Sequence, residues 1–96
     1  MLTSKQRATL RGMANSLNTV FQIGKGGIAP LLIKQTDELL ELKELVKLRV
    51  LDTSPLTSRE AADSLASSLN AEVVQVIGSR FILYRESKEH KTIKLK

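Results

Sequence analysis

The feature that most constrains this chain is a pair of short apolar segments separated by only two residues, Gly78 and Ser79. The flanking segments 72–77 and 80–85 are rich in β-branched and aromatic residues, which favour strands. A glycine at the first position of a two-residue connection favours a type II′ hairpin turn. The sequence therefore predicts that the last two strands are antiparallel neighbours in one sheet.

Start signals predict three helices ahead of and between the strands. Two of them open with a threonine followed three residues later by glutamine or glutamate, the capping-box spacing. These pairs are Thr3 with Gln6 and Thr57 with Glu60. The remaining helix is expected to begin near Pro30, because the first turn of a helix leaves its amides unbonded and tolerates a proline. Apolar residues recur at helical spacing after each signal, which predicts three amphipathic helices.

Two further strands are predicted upstream of the hairpin. Residues 19–23 are mostly β-branched or aromatic and end at a run of glycines. Residues 45–51 alternate between apolar and polar, with Lys47 and Arg49 on the wet side. A chain of 96 residues holds one hydrophobic core. The order α-β-α-β-α-β-β thus predicts a single domain of the α/β (α+β) class, with a four-stranded mixed sheet and packed helices.

Charge is distributed unevenly along the chain. The net charge is +5 and the sequence pI is about 9.8, which favours a polyanionic partner. Residues 1–34 contain no acid and five bases, which are Lys5, Arg7, Arg11, Lys25 and Lys34. Acids gather between residues 37 and 44, where an exposed, solvated helix face is expected. Residues 87–96 are basic and polar, and we expect a mobile tail there, outside a domain of residues 1–86.

Composition also argues against several functional classes. The chain has no cysteine, and its apolar runs are far shorter than the roughly 20 residues that cross a bilayer. A cytoplasmic monomer without a membrane partner is expected. His90 is the only histidine and lies in the lysine-rich tail, and Asp37, Glu38 and Glu41 lack candidate metal-binding partners. We therefore expect neither an enzyme nor a metal or cofactor site.

The sequence Gly24, Lys25, Gly26 and Gly27 lies between a predicted strand and a predicted helix. Free backbone amides and the positive end of the helix dipole meet at such a place and attract anions. Glycines allow a nucleic-acid backbone to approach closely, and Lys25 adds a mobile cation. Lys25 and the amides of Gly26 and Gly27 are expected to hold RNA phosphates. The alternative is a tight turn without a ligand.

Further basic residues are expected to extend this contact. They are Lys5, Arg7 and Arg11 in the first helix and Arg80 and Arg85 in the last strand. Arg80 and Arg85 have opposite parity along the strand, so they cannot both lie on one sheet surface, and one of them is expected to be structural.

Two other functions compete with RNA binding. Gly24, Gly26 and Ala29 match the G-x-G-x-x-A dinucleotide fingerprint, and Asp52 follows the next strand as a ribose-binding acid would. The chain is short for a dinucleotide domain with a substrate site. A protein-protein adaptor is the second alternative.

Five ordered segments together resemble the CRM domain family, in its bacterial single-domain YhbY-like form. They are LTSKQR (2–7), QIGKGG (22–27), ELVKLRV (44–50), VQVIG (74–78) and LYR (83–85). The resemblance implies a fold similar to the C-terminal domain of translation initiation factor three. It also implies a GxxG loop comparable to that of KH domains, with Gly24 and Gly27 as the fixed glycines.

The same resemblance implies a function. Bacterial members are associated with precursors of the large ribosomal subunit, and plant relatives with splicing of organellar group II introns. The expected role is therefore RNA binding in ribosome biogenesis, with ribosomal RNA or large-subunit precursor particles as the partner.

Overall fold

The structure is a computed structural model that describes residues 2–95. These residues form three helices and four strands in the predicted order. They are α1 Ser4–Ala14, β1 Phe21–Ile23, α2 Pro30–Lys43, β2 Leu45–Val50, α3 Ser58–Leu69, β3 Glu72–Ile77 and β4 Arg80–Tyr84. Both predicted capping boxes are present, with Thr3 and Thr57 as the N-caps of α1 and α3. The predicted fold class is confirmed.

The four strands form one mixed sheet in the order β1-β2-β4-β3. β1 and β2 are parallel and are joined through α2, whereas β4 runs antiparallel to both β2 and β3. The two-residue turn at Gly78 and Ser79 joins β3 to β4, and Gly78 has a φ of 58°. The end of the sheet at which β1 and β2 terminate is called the loop end. The opposite end, at which β4 terminates, is called the far end.

Helices cover both faces of the sheet. α2 and α3 pack on one face, over a core that includes Leu40, Leu48, Leu65 and Phe81, all fully buried. α1 packs on the other face, which we call the α1 face. The apolar residues there are Leu10, Ala14, Leu45, Val74, Ile82 and Tyr84. The sheet is therefore the middle of three layers, and its loop end is where loops from several elements meet.

The segment after Glu86 is packed on the domain, in contrast to the mobile tail expected from its composition. Ile93 is only 7% exposed and joins the apolar cluster of the α1 face, and Leu95 packs against the same cluster. The sequence showed two isolated apolar residues in a polar run. Their contribution depends on partners that are distant in the chain, and periodicity cannot reveal those partners.

Glu44 is the residue that holds this segment in place. It follows α2 in the left-handed conformation, with a φ of 66°, and it is fully buried. Its carboxylate accepts hydrogen bonds from the backbone amides of Ser87 at 2.7 Å, Thr92 at 2.7 Å and Ile93 at 2.8 Å. Glu44 was expected on a solvated acidic face, and the structure corrects this, because a buried charge must be matched by donors.

The hydrogen bonds around Glu44 decide its ionisation. Burial by itself raises the pKa of the Glu44 carboxyl, but the amides of Ile93, Ser87 and Thr92 stabilise the charged form and outweigh burial. The net result is a pKa below the ordinary value of 4.5. Glu41 supplements the clamp, since its carboxylate accepts from the Ser87 hydroxyl and the amides of Lys88 and Glu89. Both carboxylates are thus charged at neutral pH.

Candidate nucleic-acid interface

The glycine-rich loop is a closed turn at the loop end of the sheet, between β1 and α2. The amide of Gly27 donates a hydrogen bond to the carbonyl of Gly24 at 2.9 Å. Gly27 has a φ of 64°, in the left-handed region that favours glycine. Lys25 and Gly26 form the tip of the turn, and both are exposed. The loop therefore presents its cation to solvent, as the sequence predicted.

The base of the loop rests on the segment that follows β2. A Cβ atom added at Gly24 would lie 3.5 Å from Leu51 Cδ1 and 3.5 Å from Thr53 Oγ1, and one at Gly27 would lie 3.5 Å from Pro55 Cγ. A Cβ atom at Gly26 would meet nothing within 4 Å. The loop is thus supported from below and open at its tip, which allows an extended backbone to approach Gly26.

The donors available to an anion differ from those expected. The amide of Gly27 is occupied by Gly24, so the expectation that it donates to a phosphate is corrected: closing the turn requires that bond. The start of α2 offers other donors. Its N-cap, Ala29, provides no side-chain hydrogen bond, unlike the threonine caps of α1 and α3. The uncapped first turn of α2 therefore directs amides and a positive helix end toward the loop side.

The three glycines of the loop are not equivalent, and their substitution should show this. Gly27→Ala places a Cβ in the left-handed region and should lower the free energy of unfolding by about 1–2 kcal/mol. Gly26→Ala meets open space and should change it by less than about 0.5 kcal/mol. Urea denaturation of the two variants measures both effects. A Gly27→Ala variant as stable as Gly26→Ala would contradict the turn geometry.

The basic residues of α1 are divided between different environments. Lys5 lies in the first turn of α1, which begins at the far end, since Leu2 and Gln6 lie beside Glu72 and Tyr84. Arg7 is partly buried, and its guanidinium donates to the carbonyl of Val73 in β3, so it fastens the helix to the sheet edge.

Arg11 is half-buried and lies one turn closer to the loop end, on the same side of the helix as Arg7. Neither Lys5 nor Arg7 therefore adjoins the glycine-rich loop. Arg11 shares the side of α1 that Arg7 fastens to β3, whereas the loop follows β1 at the opposite edge of the sheet, so the structure brings none of the three predicted residues in α1 to the loop.

Arg85 has a structural position. Its guanidinium donates to Asp37 Oδ1 at 2.6 Å, to the Asp37 carbonyl at 3.0 Å and to the Leu69 carbonyl at 3.0 Å. It follows Tyr84 at the far end and ties the end of α3 to α2. The expectation that Arg85 contacts RNA is corrected, because its donors are directed at Asp37 and Leu69.

Arg80 lies at the loop end of the sheet, and two basic residues absent from the predicted set lie beside it on the neighbouring strand β2. Arg80 is exposed at the start of β4, directly opposite Arg49 of β2. Lys47 lies two residues before Arg49 on the same face. The alternating pattern of β2 predicted that Lys47 and Arg49 face solvent. It did not predict that Arg80 of another strand lies next to them on the same face. That adjacency depends on strand order.

The sheet does not fit the dinucleotide alternative. Ala29 is the N-cap of α2, outside the helix that the fingerprint would place it in, and Asp52 is exposed beyond β2. Within residues 2–95 only β1 and β2 are parallel, so there is no second βαβ unit for the other nucleotide.

No helix in the described part is long and apolar enough to cross a membrane. Residues 2–95 also hold no cluster of three or more potential metal ligands.

Fold and surface together define the class: a small α+β domain with a mixed sheet and an open glycine-lysine turn between a parallel strand and its crossover helix. A family model described as the CRS1 / YhbY (CRM) domain matches residues 2–85. The chain therefore belongs to the CRM domain family.

Relatives of this chain carry consistent names. It is 43% identical over 95 residues to the Bacillus subtilis (strain 168) protein YqeI, named a probable RNA-binding protein, covering 99% of both chains. It is 31% identical over 90 residues to a Haemophilus influenzae protein named an RNA-binding protein, covering 94% of this chain and 91% of that one.

A solved structure has the same fold. The solution structure of the Staphylococcus aureus hypothetical protein SAV1595, described as a candidate RNA-binding protein, is 46% identical. The two chains cover each other fully, with a TM-score of 0.79.

Proposed function

We propose that this protein binds RNA and that the turn from Gly24 to Gly27 contacts the sugar-phosphate backbone. The observation that carries the proposal is the geometry of that turn. Its tip is exposed, a Cβ at Gly26 would meet nothing within 4 Å, and the only side chain at the tip is a lysine. The uncapped start of α2 adds donors beside it. An anion of extended shape, such as a nucleic-acid backbone, is the ligand that these features fit.

RNA is preferred over other polyanions because relatives that align along nearly the whole chain are named RNA-binding proteins. The aromatic residues support recognition of backbone and shape over stacking on bases. Phe81 and Tyr84 are buried in the two apolar clusters, and Phe21 packs against the core. A sheet that offers no exposed aromatic platform among its described residues reads little base sequence by stacking.

The more specific role that we propose is binding to ribosomal RNA during assembly of the large ribosomal subunit, in the cytoplasm and without catalysis. Family membership supports this role, because the bacterial single-domain form is associated with large-subunit precursors. Co-sedimentation with ribosomal precursor particles, lost on nuclease treatment, is the expected result. Co-sedimentation that survives nuclease would favour the protein-protein adaptor instead.

The dependence of affinity on salt tests the proposed contact directly. Each phosphate contact with a single strand lowers the logarithm of the association constant by about 0.7 per tenfold rise in salt. With two to four contacts, the affinity of the unaltered chain should fall by roughly tenfold to 150-fold between about 0.05 and 0.3 M salt. Fluorescence anisotropy with a labelled single-stranded RNA measures it. An affinity that does not change with salt would contradict the phosphate contact.

A further inference from the structure

Two arginines face each other across neighbouring strands at the loop end. Arg49 of β2 is directly opposite Arg80 of β4 in the antiparallel register. The next pair contains Val50 and Ser79, and the Val50 amide donates to the Ser79 carbonyl at 2.6 Å. Hydrogen-bonded and non-bonded pairs alternate along antiparallel strands, so Arg49 and Arg80 form a non-bonded pair. In such pairs the side chains are closest.

This arrangement carries an electrostatic cost. Like charges directly opposite each other in a sheet repel and destabilise it. Both side chains are exposed, and within residues 2–95 no carboxylate lies within ion-pair distance of either guanidinium. Lys47 lies on the same face and adds a third positive charge. The fold thus concentrates cations at this point without an internal counterion.

The place is also open to a ligand. The apolar contacts of α1 lie over the far half of the α1 face, at Leu45, Val74 and Tyr84. The loop half is lined mostly by polar residues and cations, among them Asn15, Asn18, Gln75 and Arg80, together with the apolar residues Leu17, Ile77 and Ile82. α1 therefore leaves the arginine pair uncovered.

We propose that Arg49 and Arg80 together hold a phosphate group of the bound RNA, at a second anion site beside the glycine-rich loop. This inference rests on the proposed RNA-binding function and extends it to a surface of the sheet. Two guanidinium groups match the oxygens of a phosphate with several charge-assisted hydrogen bonds. An anion between them also replaces their repulsion by attraction to a shared partner. The two arginines are specificity determinants for an anion and not supports of the fold.

The two anion sites are connected by the sheet. Gln22 of β1 is paired with Arg49, which is paired with Arg80, so the three residues form one row across adjacent strands. Strands are about 4.8 Å apart, so the row spans roughly 10 Å. Lys25 follows Gln22 by three residues, at the turn after β1. The RNA backbone accordingly runs from the glycine-rich loop across the loop end of the α1 face.

The test compares two double variants of the full chain that remove equal charge. Arg49→Gln with Arg80→Gln removes the proposed site. Lys88→Gln with Lys94→Gln removes two exposed charges at the far end, where Lys88 lies beside Arg85 and Lys94 follows Ile93. Binding to a labelled single-stranded RNA is measured by anisotropy at several salt concentrations, and the melting temperature of each variant is measured without RNA.

The expected result is a protein that is more stable and binds less well. Loss of the repulsion should raise the melting temperature of the arginine variant by about 1–6 °C. Its RNA affinity should fall on the order of tenfold. The slope of the logarithm of its association constant against the logarithm of the salt concentration should become shallower by about 0.7, the value for one lost phosphate contact. The lysine variant should retain affinity within about twofold, since distant exposed charges are screened.

The failures of the two proposals are distinguishable. If the arginine variant binds RNA as tightly as the lysine variant while the unaltered chain binds with a clear salt dependence, the arginine site is overturned and RNA binding stands. If the unaltered chain does not bind RNA, the proposed function is overturned and this inference with it. A melting temperature that falls in the arginine variant would also overturn the inference, because it would mark the pair as structural.

Discussion

Lys25→Glu is expected to weaken RNA binding about 25-fold at 0.1 M salt and to leave the fold unchanged. One phosphate contact contributes roughly 0.7 log units at 0.1 M relative to 1 M salt, which is about fivefold, and reversing the charge applies that factor about twice. Lys25 is exposed at the tip of the turn. Exposed loop charges contribute little to stability, so the melting temperature should stay within about 2 °C.

A graded series makes this expectation specific. Lys25→Gln removes the charge without reversing it and should cost about fivefold in affinity. Lys88→Glu reverses an equally exposed charge at the far end and should cost less than about twofold. Anisotropy titrations and thermal melts on all three variants provide the comparison. A drop in melting temperature that parallels the loss of affinity would show that the loop supports the fold and does not bind RNA by itself.

Glu44→Ala is expected to give the largest loss of stability of any single substitution considered, about 3 kcal/mol. The change leaves the amides of Ser87, Thr92 and Ile93 without their acceptor, and an unsatisfied buried donor costs roughly 1–3 kcal/mol. The three costs do not add in full, because the segment can detach and its amides can then bond to water. Detachment costs only the burial of Ile93 and its neighbours, which limits the total loss of stability. The melting temperature should fall by roughly 12–24 °C, and hydrogen exchange should show lost protection at residues 87–93.

Two companion variants separate the causes. Glu38→Ala removes an exposed carboxylate from α2, the helix that Glu44 follows, and should change stability by less than about 0.5 kcal/mol. Glu44→Gly removes the carboxylate but relieves the left-handed conformation, so it should be about 1 kcal/mol more stable than Glu44→Ala. A Glu44→Ala protein that melts like Glu38→Ala would show that the clamp contributes no stability.

The pH dependence of the same variants has a defined sign. The pKa of Glu44 is lowered in the folded protein, so the unfolded chain binds its proton first as pH falls. The stability from this carboxylate is therefore complete above the ordinary pKa of 4.5 and is lost as pH falls through the lower folded value. The difference in stability between the unaltered chain and Glu44→Ala should accordingly shrink in acid. A difference that stays constant down to strongly acidic pH would contradict the pKa assignment.

The sequence predicted the elements of the fold because their signals are local. Capping pairs such as Thr3 with Gln6, the proline at the start of α2 and the two-residue turn at Gly78 each act over a few neighbouring residues. The turn after β1 was found for the same reason. Its internal hydrogen bond was not, because a run of glycines indicates flexibility without saying which amide remains free.

What the sequence could not give was adjacency across the sheet. Parity along β4 predicted that one of Arg80 and Arg85 is structural but not which one, and the structure shows that Arg85 binds Asp37 while Arg80 is exposed. Arg49 lies opposite Arg80 because β4, and not β3, is the neighbour of β2, and the sequence does not reveal this strand order. Glu44 likewise appeared as one acid among several until residues 87–93 were seen to surround it. Each of these outcomes depends on partners more than 30 residues away in sequence.

The shortness of β1 has a consequence for how the loop responds to a ligand. The strand has three residues and lies at the edge of the sheet, so β2 is its only strand neighbour in the described region. Its last residue, Ile23, is fully buried in the core, and the carbonyl of Ile23 accepts a hydrogen bond from the Leu51 amide at 2.9 Å. The base of the turn is therefore fixed to the core one residue before Gly24, and a polyanion that binds as proposed should meet a turn that is already formed.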